Sequence, residues 1–273
     1  MAVWSFFDCG GSLITVKGRF YDRGSQWAGG AAQKALDLAM PPHCPLTREG
    51  VASGRSLSAA AWSSIHFIDD PVCGRCGVPF SAEYGAEVEC PSCIAAPPDF
   101  ERARAAVVYD DASYKLIVGF KHGDRTELAD MLGAWMVRAG RDLATSSSVV
   151  TPVPLHGGRL LSRRFNQSAL LAAAVAAKTG ARLSIDGLAR RRATPPQKDL
   201  SAEGRRRNVA GAFEVRNPKA RALFHKADVV LIDDVLTTGA TLSAAARALK
   251  RAGAARVDAL VLARVVKGGL GAI

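Results

Sequence analysis

The stretch Val229-Val230-Leu231-Ile232-Asp233-Asp234-Val235-Leu236-Thr237-Thr238-Gly239-Ala240-Thr241 decides the fold. Four consecutive apolar residues suit a strand buried on both faces, as in a parallel sheet covered by helices. Asp233 and Asp234 follow where that strand leaves the sheet, at the C-terminal edge where open α/β sheets bind ligands. A short loop rich in hydroxyls then opens onto a helix. Gly239 lets the backbone come close to an anion. Thr237, Thr238 and Thr241 add hydroxyl donors, and the free amides and dipole of the helix start favour a phosphate. The loop lacks the Gly-Lys-Ser/Thr ending of a Walker sequence, and Gly-x-Gly-x-x-Gly is absent, so nucleoside triphosphate and dinucleotide loops are both excluded. Vicinal acids beside a phosphate cradle fit a ribose 5-phosphate. Asp233 and Asp234 would take the 2′ and 3′ hydroxyls, and the backbone from Val235 and Leu236 through Thr237, Thr238, Gly239, Ala240 and Thr241 would take the 5-phosphate. The plain alternative is a strand-to-helix turn with two acids. The order strand, acids, Gly, helix favours the site.

Outward from this loop, strand and helix patterns alternate. Strands are expected at Ala105 to Tyr109, Ser148 to Pro154 and Val257 to Val266. Helices are expected at Ser113 to Phe120, Glu127 to Leu143, Asn166 to Thr179 (closed by Gly180) and Thr241 to Arg251 (closed by Gly253). This β-α-β order indicates a doubly wound parallel sheet. Upstream, residues 41–98 are rich in Cys, Pro and Gly, and Pro97-Pro98 reads as a linker. Residues 1–40 form an extension with a short helical pattern at Ala31 to Met40, ended by Pro41-Pro42. The expected division is therefore 1–40, 41–98 and 99–273. No internal repeat is visible.

The chain has 273 residues, of which 48% are hydrophobic, enough for a sizeable core and against global disorder. No apolar run reaches the roughly 18 residues of a membrane span. The N-terminus lacks the basic start and long apolar stretch of a secretion signal, so a cytoplasmic protein is expected. The formal net charge is +11. Much of it is local: Arg190, Arg191, Arg192, Lys198, Arg205, Arg206, Arg207, Arg216, Lys219, Arg221 and Lys226 face only Asp199, Glu203 and Glu214. Such a surplus suits the phosphates of a small molecule, a nucleic-acid backbone, or a solvated surface. Phe213 and Phe224 are the only aromatic residues near it, which weakens any base-stacking mode.

Cys73-Gly74-Arg75-Cys76 and Cys90-Pro91-Ser92-Cys93 are separated by thirteen residues. Each tight pair turns two thiolates toward one ion, and four sulfurs complete a tetrahedron. The spacing predicts one structural zinc with no open position for catalysis; four reduced thiols are the alternative.

The loop resembles the phosphoribosyl pyrophosphate (PRPP) motif of type I phosphoribosyltransferases. Two further segments extend the likeness: Thr151-Pro-Val-Pro154-Leu155-His156-Gly-Gly-Arg159-Leu-Leu-Ser-Arg-Arg164-Phe-Asn166-Gln167, and Leu188-Ala-Arg190-Arg191-Arg192-Ala-Thr-Pro-Pro-Gln197 through Val209. With the loop and the cysteines, they resemble the ComF family, linked to competence and DNA uptake, over about residues 31–267. The resemblance implies a type I phosphoribosyltransferase-like sheet preceded by a small zinc ribbon. It implies PRPP or a related ribose 5-phosphate compound as ligand, with magnesium on its diphosphate. Asp233 and Asp234 would be the catalytic acids. Pro154, Leu155, His156 and Arg159 would form the pyrophosphate loop, and Arg190, Arg191 and Gln197 the hood above the site. His156 would be a general acid or, more simply, a loop-packing residue. Lys121 matches a family lysine. Thr237 stands where purine-salvage members carry an Asp, which argues against purine salvage. Arg164 replaces a family Gly. The family also has an upstream ribbon, with a Cys near Thr47 and a pair near Leu57 to Ala60. Only Cys44 remains here, so that half is expected to be metal-free, with Cys9 and Cys44 ordinary thiols. Two functions follow: a PRPP-binding protein that transfers the phosphoribosyl group, or a non-catalytic accessory protein of DNA uptake or repair that contacts single-stranded DNA or a helicase partner.

Overall fold

A computed structural model describes residues 41–53, 56–81, 88–122, 126–155, 166–192 and 202–266. The chain divides into two compact units, Met1–Pro42 and His43–Ile273, and the elements named here belong to the second. The expected helix at Ala31 to Met40 lies outside the described residues.

In chain order the elements are α1 (Ala59–Ser63), α2 (Pro91–Ala95), β1 (Ala103–Val108), α3 (Asp111–His122), α4 (Leu128–Ala139), β2 (Val149–Pro152), α5 (Gln167–Thr179), β3 (Arg182–Leu183), β4 (Leu188–Arg190), α6 (Ala202–Val209), β5 (Phe213–Val215), α7 (Pro218–Phe224), β6 (Asp228–Leu236), α8 (Ala240–Arg251) and β7 (Arg256–Arg264). Among the described residues, five strands form one sheet in the order β1-β7-β6-β2-β3, and every pairing in it is parallel. β4 and β5 pair antiparallel as a separate two-stranded sheet.

The run Val229–Ile232 sits at the centre because both its faces are buried. Val229 and Leu231 belong to one hydrophobic cluster, with Leu242, Ala245 and Leu249 of α8 and with Val209, Phe213 and Phe224. Val230 and Ile232 belong to the opposite cluster, with Leu132 and Met136 of α4 and Leu171 and Val175 of α5. Alternation along β6 thus feeds two layers of helices, which explains why its sequence is continuously apolar. The chain leaves β2 through α5 toward β3, and leaves β6 through α8 toward β7, in opposite directions along the sheet. The crevice between the C-terminal ends of β2 and β6 is the topological switch point, where such sheets hold ligands.

The expected strand end is corrected. β6 does not leave the sheet after Ile232: its pairing with β2 stops at Pro152–Ile232, but it stays paired with β7 through Leu236–Arg264. Asp233 and Asp234 therefore stand on a strand supported on one side and open toward β2 on the other. No helix among the described residues is long and apolar enough to cross a membrane.

The cysteine-rich region packs directly on this sheet. Ile68 N–H donates to Ala106 O and Ala103 N–H to Arg75 O. Trp62 of α1, Phe67 and Trp135 of α4 meet with ring centroids 5.0–5.7 Å apart, and the Arg138 guanidinium lies 4.9 Å from the Phe67 ring centre.

Candidate functional site

The loop after β6 turns at Gly239, whose φ of 75° is the left-handed conformation that favours glycine. It caps α8, with no side-chain hydrogen bond at the cap, and the start of such a helix is suited to an anion. Thr237 is exposed. The Thr238 hydroxyl oxygen is buried with no hydrogen-bond partner. A buried hydroxyl in that state costs about 1–3 kcal/mol, and an anion seated on the loop would relieve it.

Asp233 is held in place. Ser168 Oγ donates to its Oδ1 at 3.0 Å, and the Asp234 N–H donates to the same oxygen at 3.0 Å. Desolvation, then the charge of Asp234, pushes the Asp233 carboxyl up to about 7 from an ordinary value of 3.8. Asp234 pairs with the Lys121 ammonium. Lys121 is thus a site residue and no surface lysine. Its family match was the only signal in the sequence, since nothing in the helical pattern around it shows that α3 ends at β6.

The start of α5 acts as a brace. Asn166 caps α5, its Oδ1 accepting from Ser168 N–H at 3.1 Å while its Nδ2 donates to Val153 O at 3.2 Å. Gln167 Nε2 donates to Lys121 O at 3.4 Å. Asn166, Gln167 and Ser168 therefore join the β2 exit, the α3 end and the Asp233 carboxylate. Ser168 was missed by sequence reasoning; its position directly after Asn-Gln was the available signal. Pro154 and Leu155 follow β2 at this same edge, where Val153 N–H donates to Ile232 O. His156, Arg159, Arg164 and Gln197 lie outside the described residues.

Arg190 and Arg191 lie in and just after β4. The Arg190 guanidinium carbon is 5.4 Å from the Phe213 ring centre, and Arg191 pairs with Glu214 at 3.0 Å. Arg192 donates to the carbonyls of Asn208 and Ala210. Phe213 and Phe224 are both buried, so neither is available to stack on a base.

Cys73, Cys76, Cys90 and Cys93 are all buried and their sulfurs lie within 4.8 Å of one another. Hydrogen bonding from Cys76 lowers Cys73 to about 4, the same bond raises Cys76, and burial pushes Cys93 up to about 12. Four crowded sulfurs left to themselves must share protons. A dication removes the conflict by taking all four as thiolates. The donor set fits zinc, and this cluster is a structural zinc site. Two N–H donors already point at its sulfurs, Cys76 N and Cys90 N to Cys73 Sγ at 3.4 and 3.2 Å. Arg264, at the end of β7, donates to Cys76 O at 2.7 Å and to Cys76 Sγ at 3.2 Å. The ribbon is thereby fastened to the strand that pairs with the phosphate-loop strand. Gly77 is required at φ 67°, because a Cβ there would lie 2.4 Å from Ala103 O.

An internal repeat does exist, contrary to the sequence reading. Cys44 N–H donates to Glu49 O and Arg48 N–H to Cys44 O, matching Cys73 N–H to Val78 O and Gly77 N–H to Cys73 O. The bridge His43–Gly50 matches Val72–Pro79. Arg48 has a φ of 62° where Gly77 has 67°. Ser58 starts α1 as Cys90 starts α2. The four ligand positions of the upstream copy are therefore Cys44, Thr47, Ser58 and Ala61. The expected second pair, near Leu57 to Ala60, is corrected to Ser58 and Ala61. Divergence hid the repeat, since one Cys in four survives while the backbone pattern persists. Thr47 Oγ1 and Ser58 Oγ are 2.9 Å apart, and Ser58 Oγ also accepts from Ala61 N–H. Cys44 is no ordinary thiol. Burial raises its pKa, but hydrogen bonds from Ser58, Thr47 and Leu46 outweigh burial and hold it at about 6. One thiol, two hydroxyls and a methyl do not fit zinc.

Comparison with known proteins agrees with these parts. A double zinc ribbon domain matches residues 35–94, and a phosphoribosyl transferase domain matches residues 166–269. DNA utilization protein YhgH of Escherichia coli O6:H1 is 30% identical over 234 residues, covering 84% of this chain and 100% of the relative. Competence protein F of Haemophilus influenzae is 28% identical over 199 residues, 71% of this chain and 85% of the relative. A hypoxanthine phosphoribosyltransferase from Staphylococcus aureus overlays 52% of this chain and 64% of its own at a TM-score of 0.32 and 18% identity, a likeness too loose to bear on the site. With its ribbon, its phosphoribosyltransferase-type sheet and a relative matched over its full length, the chain belongs to the ComF family of competence protein F and DNA utilization protein YhgH.

Proposed function

We propose that the chain binds PRPP, or another ribose 5-phosphate compound, at the end of β6 and the loop after it, from Asp233 to Thr241, and transfers its phosphoribosyl group. One observation carries the reading: a half-buried, oriented Asp233 stands beside a helix start preceded by Thr238, whose buried hydroxyl lacks a partner. The carboxylates accept hydrogen bonds from the ribose hydroxyls, and the loop amides take the 5-phosphate. In transfer, the acceptor's lone pair forms the new bond to C1′ while the C1′–oxygen bond to diphosphate breaks, and diphosphate departs with that electron pair. Positive charge gathers on the ribose ring, and the vicinal acids favour it. Magnesium on the diphosphate would neutralise the leaving group. Calorimetry of PRPP with magnesium tests the reading: one saturable site per chain is expected, and no saturable heat would overturn it.

We infer one zinc per chain, in the downstream half only. Elemental analysis of chelator-free protein is expected to give one zinc. Thr47→Cys, Ser58→Cys and Ala61→Cys together, with Cys44, should raise it to two, because the upstream backbone already has ribbon geometry. Two zincs in the unaltered protein would refute the assignment. Reduced, metal-binding cysteines suit a reducing compartment such as the cytoplasm.

A second reading draws on the relatives' names, DNA utilization protein and competence protein F. In it, the basic run from Arg190 to Lys226 contacts single-stranded DNA, or a helicase partner, with or without catalysis. Buried Phe213 and Phe224 leave only backbone contacts. Anisotropy of a labelled oligonucleotide should then show sequence-independent binding, with a log–log salt slope of roughly −0.7 per phosphate contacted. Replacing Arg205, Arg206 and Arg207 together should flatten that slope and leave PRPP binding largely intact. No binding at low salt would remove this reading.

A further inference from the structure

Two vicinal carboxylates at an open sheet edge have two possible uses. They can accept hydrogen bonds from a sugar diol, or they can ligate a divalent cation through oxygen. Among the described residues, the surroundings of Asp233 and Asp234 decide between these. From β6 itself come the two acids. From α5 comes the neutral Ser168 hydroxyl, already committed to Asp233 Oδ1. From the end of β1 comes the Tyr109 phenol, close enough to feel both Lys121 and Asp234. From α3 comes Lys121, whose ammonium pairs with Asp234 Oδ2. Both side chains of that pair are only 18% exposed.

Lys121 is not free to swing there by chance. It is the next-to-last residue of α3, a helix that begins beside β1 and ends beside β6. Its carbonyl accepts from Gln167 Nε2, so the turn that carries it is tied to the start of α5. An ammonium fixed on Asp234 occupies the coordination space of a metal ion and repels any dication that approaches the pair.

We propose that Lys121 keeps the Asp233–Asp234 pair free of divalent cations in the unliganded protein and reserves both carboxylates for sugar hydroxyls. A divalent ion then enters only on the ligand's diphosphate. The sugar half of this statement rests on the proposed function; the exclusion of metal does not. Lys121 is a positioning residue in this role, because it sets what its neighbours can bind.

Manganese alone is the probe, followed by the electron paramagnetic resonance of free Mn2+ over the intact, zinc-loaded protein with no phosphoribosyl compound present. The unaltered protein is expected to show no site tighter than about millimolar. Lys121→Gln should create one site per chain, tighter by at least about tenfold, because the acid pair has lost its cation. Adding Asp234→Asn to that variant should abolish the site, and Lys121→Arg should not create it. Lys121→Met serves if Lys121→Gln does not fold. The proposal fails if the unaltered protein binds Mn2+ as tightly as Lys121→Gln, with the site lost on Asp234→Asn. It fails equally if a folded Lys121→Gln or Lys121→Met gains no site. If the Mn2+ pattern holds while PRPP gives no heat, the proposed function falls and the role of Lys121 stands.

Discussion

Replacing Cys76 by Ala is expected to release the zinc and lower the stability of the whole sheet, not of the ribbon alone. Structural zinc supplies an apparent binding free energy of about 10–16 kcal/mol at neutral pH in zinc-finger peptides, so loss of one thiolate ligand is among the largest single effects available. Here the damage should spread. Cys76 Sγ accepts from Arg264, whose backbone pairs with Leu236 at the end of the phosphate-loop strand. Without the sulfur, that guanidinium keeps only its bond to the Cys76 carbonyl, and the ribbon's hold on β7 weakens. The expected result is zinc content near zero, a markedly lower melting temperature, and early proteolytic cleavage between residues 71 and 96. Unchanged melting with zinc retained would show that the ribbon does not need this ligand.

The second large effect is expected from Asp233→Asn with Asp234→Asn. Losing two charged acceptors for the ribose hydroxyls should weaken PRPP binding by about 3–6 kcal/mol while the fold survives. A pH dependence accompanies it. Asp233, surrounded by Asp234, Lys121 and Ser168, is pushed up to about 7, chiefly by burial. Below that pH it holds a proton and accepts poorly, so affinity should rise as pH rises through about 7, by at most tenfold per unit for one proton. Stability has the opposite sign. Because the folded carboxyl holds its proton more tightly than the unfolded one, its contribution favours the fold at low pH and is lost as pH rises from about 4 to about 7. Asp233→Asn alone should flatten both trends, measured by calorimetry and by denaturant unfolding across pH. Unchanged affinity in the folded double variant would place the ligand elsewhere.

Much of this was legible in the sequence because local pattern and buried environment agree. The apolar run at Val229–Ile232 reads as a central strand, and it is one, since each of its faces meets a helix layer. The Cys73–Cys93 spacing encodes a metal site because two short turns suffice to build it. What escaped notice depends on distant partners. Nothing near Lys121 tells that α3 crosses to Asp234, and nothing near Ser168 tells that it faces Asp233; both contacts are made across more than sixty residues of chain. The β4–β5 sheet was not foreseen, because strands of three residues carry no usable period. The upstream ribbon came only from the family resemblance, and its repeat of the downstream half escaped notice for another reason. A hydrogen-bonded backbone with Arg48 in a glycine conformation, which costs about 1–2 kcal/mol, keeps its shape after the ligands that defined its pattern are gone.

The proposed function places a phosphoribosyl compound on the loop after β6. Diffraction from crystals of the intact protein grown with ribose 5-phosphate tests it most directly. The phosphate is expected against the amides from Thr237 to Thr241 with Thr238 Oγ1 in hydrogen-bond contact, and the 2′ and 3′ hydroxyls on Asp233 and Asp234. Density for the sugar phosphate elsewhere, with this loop empty at saturating ligand, would contradict it.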